Sequence, residues 1–399
     1  MRIESAPISP GLPPDRWMPA EALPASGIGE GGKVVLISDH DYRTPRRANM
    51  HPIADALVRL GYDVTFVSVR YSRLSMLKGD SRNFLHDNAN APELVNNVRC
   101  YLWKTPVHPI NLRHSFLNAL SAPLYKLYAR LPCAFLDEEL KVANHVIVES
   151  GLGAVLVRRA RALNHSVKIS YLASDELVTV GVHPCVQAEL EAAARAINFA
   201  CVPSRRMAES FDWVGERVFY VPHGIEHSDF AAIGESPYEA GDHAVSVGSM
   251  LFDPGFFAIA AARFPKVRFH VIGAGQRFEA PENVIQHTEM PFRETLPYIR
   301  HATLGIAPYR HAAGCEYISD TSMKLMQYEY LGIPAVCPTF AAADHPGRFG
   351  YRPDDQQSII DAIERALAQR RAVRPRRFLS WDDVARRLLN PRAFADTVL

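Results

Sequence analysis

Charge of one sign is missing from this sequence: 44 Lys and Arg stand against 43 Asp and Glu, a formal net charge of +1. Such a chain has no global field to hold a nucleic acid, so any basic patch must be local. Paired cysteines are missing too. Cys100, Cys133, Cys185, Cys201, Cys315 and Cys337 are scattered, with no C-x-x-C spacing, which excludes a disulfide framework and argues against a zinc site. Buried free thiols in stretches such as FACVP and PAVCP are what remains. No window approaches the roughly 18–20 apolar residues of a spanning helix, so membrane contact is expected to be peripheral. Residues 1–30 are rich in Pro, Ala and Gly without an apolar core of signal-peptide length, and read as a disordered tail. Nor does a glycine-rich turn follow the first strand-like run: residues 38–49 are bulky and polar there, which removes a nicotinamide-dinucleotide reading. VIGAG (271–275) is half of such a fingerprint, but Phe278 holds the place of its third glycine.

What is present is alternation. A chain of 399 residues exceeds what one core usually covers, so two domains are expected. KVVLIS (33–38), DVTFVSV (63–69), NHVIVES (144–150), VKISYLA (167–173) and NFACVPS (198–204) read as buried strands with helical patterns between them. A second series runs through HAVSVGS (243–249), VRFHVIG (267–273), NVIQHTE (283–289), LGIAPY (304–309) and PAVCP (334–338). This is the signature of an α/β protein with two Rossmann-like parallel sheets, which bind ligands beyond the carboxyl ends of their strands. We place the first domain at 31–225, a linker at 226–242, the second domain at 243–380, and a helix within 381–399 returning to the first.

The most informative segment is DTSMKLMQYEYLGIP (320–334). Asp320, Thr321 and Ser322 are N-cap types, so a helix starts there with free N–H groups and the positive end of its dipole, a ready anion site. Lys324 sits in the first turn, where a cation disfavours the helix itself but suits a diphosphate. Gln327, one turn on along the same face, is placed to reach ribose hydroxyls. Gly248, after the first strand of this domain, allows close backbone approach, and Tyr309 at a strand end offers a ring to a planar base. The bland alternatives are a solvated helix, an ordinary turn and a core tyrosine.

In the first domain, Arg43, Arg46 and Arg47 follow the first strand and suit a carboxylate or phosphate, unless they pair with Asp39 and Asp41. We favour Arg46 for a donor carboxylate. Asp175 lies directly past VKISYLA, at the cleft rim, where a general base for an acceptor hydroxyl is needed; Glu176 is the rival and Glu149 a more distant one. An N-cap role is the plainer account of Asp175. Residues 115–131 mix apolar and aromatic groups with Lys126 and Arg130, as interfacial segments do; a helix covering the sheet is the equal alternative.

The stretches HDYRTPRRAN (40–49), RYSRLSMLKGD (70–80), CYLWKTPVHP (100–109), VGSMLFDP (247–254), GIAPY (305–309) and SMKLMQYEYLGIPAVCP (322–338) resemble the GumK-type glucuronosyltransferases of xanthan assembly, over residues 33–392. The resemblance implies the GT-B fold and an inverting transfer; no metal or cofactor is expected, because Lys324 and its helix start would carry the electrostatic role and no carboxylate cluster stands out. UDP-glucuronate would be the donor and a polyprenyl-diphosphate-linked oligosaccharide the acceptor, at the cytoplasmic face of the inner membrane. By motif, Asp175 is expected to be the base, and Met250, Tyr309, Met323, Lys324 and Gln327, with Ser322 at the helix start, the uridine-diphosphate site. Many related enzymes carry Glu where Gln327 stands. The chain departs from the family at Leu172, where Arg is expected, and at Glu176, where Gly is. Two rivals are a nucleotide-sugar 2-epimerase on the same scaffold, which needs no acceptor, and a non-catalytic sugar-nucleotide-binding protein, against which intact Asp175 and Lys324 weigh.

Overall fold

The structure, a computed structural model, describes residues 31–45, 47–312, 314–370 and 372–399; the expected tail 1–30 lies outside them. Its strands form two sheets. The first holds β1 (Lys33–Ser38), β2 (Asp63–Ser72), β3 (Glu93–Val95), β4 (Val98–Thr105), β5 (His145–Glu149), β6 (Lys168–Leu172), β7 (Phe199–Val202) and β8 (Val218–Tyr220), in the order β3-β4-β2-β1-β5-β6-β7-β8. The second holds β9 (Asp242–Val247), β10 (Val267–Ile272), β11 (Val284–His287), β12 (Leu304–Ile306), β13 (Ala335–Pro338) and β14 (Arg348–Tyr351), in the order β11-β10-β9-β12-β13-β14. Every pairing is parallel except β3 with β4. In both sheets the strand order reverses beside the first strand, between β1 and β5 and between β9 and β12. Crevices at such reversals are where open α/β sheets take their ligands.

The strands form because apolar runs are covered on both faces: Val34, Val35, Leu36 and Ile37 are all fully buried, which leaves no polar alternation. The helix Met50–Arg59 ends at Gly61, whose φ of 83° suits a residue without a Cβ. The core does not divide at the domain boundary. One contiguous cluster joins Val148, Tyr171 and Leu177 of the first half to Tyr309, Tyr317 and Leu325 of the second.

The helix Trp381–Leu389 is started by a Ser380–Asp383 capping box. It lays Trp381, Val384 and Leu388 against the cluster that holds Ile53 and Leu57, and Ser170 Oγ donates to the Leu388 carbonyl at 2.6 Å. The chain therefore passes between the halves twice, and the two passages touch: Ile225 bridges Ser380, and a Cβ on Gly224 would lie 3.0 Å from the Ser380 backbone. Residues 226–242, read as a linker, are not free. They include a short helix, His227–Ala231, and Tyr238 stacks on His243 and donates to the Tyr298 carbonyl at 2.6 Å.

Candidate active site

At the first reversal, Ser38 ends β1 and Glu149 ends β5. Ser38 Oγ donates to Glu149 Oε2 at 2.5 Å, and Ser174 Oγ donates to Oε1 at 3.1 Å. Burial raises the Glu149 carboxyl above its ordinary range. Ser174 follows β6 and leads to Asp175 beyond its carboxyl end, where the Asp175 backbone N–H donates to Ser150 Oγ at 3.1 Å. Burial, with Glu149 adding to it, lifts Asp175 to about 6, while the Tyr317 hydroxyl and His40 pull it back down. A carboxylate with this elevation is still ionised at neutral pH and is a stronger base than an exposed one.

Beside it, at the ends of β1 and β2, Asp39, His40, Asp80, Ser81 and Arg82 line a cavity of about 330 Å³. Its carboxylates suit hydroxyl groups and repel anions. The described arginines of the neighbouring loop are used internally. Arg43 holds Asp41 through two bonds of 2.8 Å and Glu93 through a third, and Arg47 pairs with Asp55. Arg46 lies outside the described residues. The arginine-rich pattern could not by itself distinguish a ligand clamp from a loop that braces itself.

At the second reversal the helix Met323–Leu331 points its start at the cleft. Ser322 caps it by accepting the Leu325 N–H at 3.3 Å, and Gly332 closes it with a φ of 68°. The first N–H groups of a helix have no carbonyl a turn behind them. The Lys324 ammonium sits there, 5.1 Å from the Tyr309 ring centre. Its nitrogen is buried with no hydrogen-bond partner among the described residues. Burial draws its pKa down to about 7. An unpaired buried charge costs several kcal/mol on the order of the desolvation penalty, so this lysine is set for an anion.

The stacking expected of Tyr309 needs correction. The ring is only 3% exposed, its hydroxyl shares a 2.5 Å hydrogen bond with Ser322, and Lys324 lies over one face. Tyr309 thus braces the helix start and the lysine. Phe252 and Phe278 instead line a cavity of about 240 Å³ with Ser249, Gln276 and Arg310. Met250 is exposed in the loop after β9, and Gln327 is buried on the second helical turn. Met323 packs against the apolar cluster of the first half. Among the described residues no three His, Cys, Asp or Glu side chains gather as metal ligands would.

Sequence reasoning missed what joins the halves. Tyr317 Oη donates to Asp175 Oδ1 at 2.9 Å and lies 2.9 Å from Thr179 Oγ1. Ser204 Oγ donates to Asp320 Oδ2 at 2.6 Å. His223, drawn down to about 4 by burial and hence neutral, offers Nδ1 to the Thr321 carbonyl at 3.2 Å, with Nε2 3.1 Å from Asn49 Nδ2. No spacing signals a contact between residues 142 apart. Glu176, the rival base, is engaged by Ser210 Oγ at 3.0 Å.

This architecture recurs in solved structures. The α,α-trehalose 6-phosphate synthase of Burkholderia multivorans matches with a TM-score of 0.54 and 14% identity, over 91% of this chain and 93% of that one. The UDP-forming α,α-trehalose-phosphate synthase of Burkholderia xenovorans matches with a TM-score of 0.55 and 14% identity, over 90% and 96%. Such identities speak for the fold alone, and the fold is that of the GT-B glycosyltransferases. Residues 36–203 match the family described as glucuronosyltransferase GumK, N-terminal domain. The UDP-glucuronate:glycolipid 2-beta-glucuronosyltransferase of Xanthomonas campestris pv. campestris is 43% identical over 380 residues, 95% of this chain and 94% of that protein. The chain belongs to the GumK glucuronosyltransferase family.

Proposed function

We propose that the protein transfers glucuronate from UDP-glucuronate to a polyprenyl-diphosphate-linked oligosaccharide, with inversion, as a step of exopolysaccharide assembly. The observation that carries this reading is the pairing of a raised carboxylate, Asp175, on one half with a buried unpartnered ammonium, Lys324, at a helix start on the other. The donor and glycolipid acceptor in the name of the Xanthomonas relative support the substrates. Its β-linkage, formed from an α-linked nucleotide sugar, supports inversion.

In this reading the acceptor hydroxyl gives its proton to Asp175 as its oxygen attacks the anomeric carbon. The bond from that carbon to the phosphate oxygen breaks, and UDP leaves with the electron pair. Lys324 and the N–H groups at the helix start receive the charge that develops. Diphosphate beside the lysine restores its proton affinity, so the ammonium is charged when it is needed. Met250, Met323, Ser322 and Gln327 border the same donor site, with Tyr309 beneath it. Because these donors supply the electrostatic work, we infer that transfer needs no metal ion and survives a chelator.

We place the reaction at the cytoplasmic face of the inner membrane, held there by the helix Ser115–Arg130. That helix packs inward through Tyr125 and Tyr128. Outward, Phe116 and Leu120, each 66% exposed, continue with Leu124 and Leu127 as one apolar stripe beside Lys126 and Arg130. No helix among the described residues is long and apolar enough to cross a membrane. The segment leading into the helix Ser115–Arg130 is tied to the loop that follows Asp175: Asn111 Nδ2 donates to the Gly181 carbonyl at 3.0 Å, and Val178 of that loop is exposed. The test is release of UDP by purified protein offered UDP-glucuronate with a lipid-linked oligosaccharide, with UDP-glucose as the competing donor. A change of the sugar in donor alone, with the UDP-sugar bond kept and no net UDP released, would instead favour the epimerase.

A further inference from the structure

Four hydrogen bonds from the first half reach three residues, Tyr317, Asp320 and Thr321, within one short run of the second. Asp175 and Thr179 meet Tyr317, Ser204 meets Asp320, and His223 meets the Thr321 carbonyl. Those residues run straight into the helix that carries Lys324. Tyr317 differs from the other two in what it touches, which is the carboxylate assigned to the chemistry.

A carboxylate has two oxygens and can accept at both. With Oδ1 bound to the phenol, Oδ2 is the oxygen left to take a proton from an acceptor. The backbone is held independently, by Ser150 Oγ on the Asp175 N–H. The phenol is itself fixed, by Thr179 Oγ1 at 2.9 Å and by burial of its ring, which is 2% exposed. Burial and the neighbouring carboxylate push its own ionisation far up, so it remains a donor.

We propose that Tyr317 is a positioning residue for the transfer, reaching from the donor half to hold one oxygen of Asp175 so that the other faces the acceptor. The inference rests on Asp175 being the base. It means that the base is fully set only when the halves are together and the segment leading to the Lys324 helix is in place. Donor binding and proton abstraction are thereby tied through the short helix Ile318–Thr321 and the Ser322 cap that follows it.

The charged and titratable groups around Asp175 come from four directions. Glu149 comes from β5, His40 from the loop after β1, Tyr171 from β6, and Glu176, held by Ser210, from its own loop. None of them replaces the phenol as a donor to Oδ1.

The experiment is the pH dependence of kcat/KM for Tyr317→Phe, with UDP affinity measured alongside by calorimetry. A hydrogen bond to a charged group favours the charged form, so its loss moves the acidic limb to higher pH, by about one unit. The rate should therefore fall about tenfold below the limb and less above it. UDP affinity should be unchanged, because a Phe ring keeps the packing. Thr179→Val should move the limb the same way by less. A profile that superimposes on that of the parent overturns the proposal. So does a loss of turnover that follows a loss of UDP affinity with the limb unmoved, which would make Tyr317 merely structural. Asp175→Asn separates the two levels. If it keeps turnover, the base assignment fails and this inference with it; if it is dead while Tyr317→Phe shows no shift, only the role of Tyr317 falls.

Discussion

The carboxyl ends of the two sheets are in opposite electrostatic conditions. At the first, the protein answers its own charges: Asp41 with Arg43 and Ser68, Asp80 with Arg82, Glu149 with Ser38 and Ser174. At the second, the Lys324 ammonium is buried with no partner among the described residues. The difference matches two kinds of ligand. A site for a neutral hydroxyl must satisfy its own polar groups and keep one carboxylate poised. A site for a diphosphate keeps a positive charge in reserve and is strained without it.

The contrast breaks first at Asp175. Asp175→Ala should lower kcat by about 10²–10⁴, the span a general base contributes, with UDP affinity intact by calorimetry; substantial residual turnover would hand the role to Glu176. Next comes Lys324. Lys324→Ala should weaken UDP binding by about 1.5–3 kcal/mol, as for a charge-assisted contact, and unchanged affinity would mean the anion binds elsewhere. Membrane docking should give a smaller effect. Replacing Phe116 and Leu120 by Ser should reduce co-sedimentation with anionic vesicles by about tenfold, since partial burial of the two side chains together contributes about 1.5 kcal/mol; UDP release from the donor in the presence of a soluble acceptor should not change.

A last test sharpens the comparison by stability alone. Lys324 is held down to about 7 from its usual 10.5, so between those values the unfolded chain binds more protons and stability rises with pH. Below about 7 the whole penalty of the buried charge is present. Lys324→Met should therefore raise the Tm of the UDP-free protein most at pH 6, with an advantage that shrinks toward pH 10 and is opposed by added UDP. A Tm difference independent of pH would show that the ammonium is not the source of strain.

Much of this was legible in the chain. Ten apolar runs mark ten of the strands, because strands covered on both faces leave continuous hydrophobic stretches. The helix ending at Gly332 was legible from its cap residues. β4 was missed because Arg99 and Lys104 interrupt its pattern, and β14 because four residues carry almost no period. At the site, the lysine in a first helical turn was visible as an anomaly, whereas its isolation was not: only the folded chain reveals that no hydrogen-bond partner among the described residues reaches it. Tyr309 failed in the other direction. An aromatic residue at a strand end gives no hint whether its face is open or already covered, and here a cation covers it. Tyr317 was invisible, since its partner is in the other half.

The double crossing at Gly224 and Ser380 limits how the halves can part. With two adjacent strands of chain pinned together and the final helix bolted to the first half, the domains cannot drift apart as beads on one string. They can open only like covers about a spine. A molecule entering from the far edge then meets both covers at once, and the residues nearest the spine, His223 and Thr321 among them, travel least while those at the rim travel most.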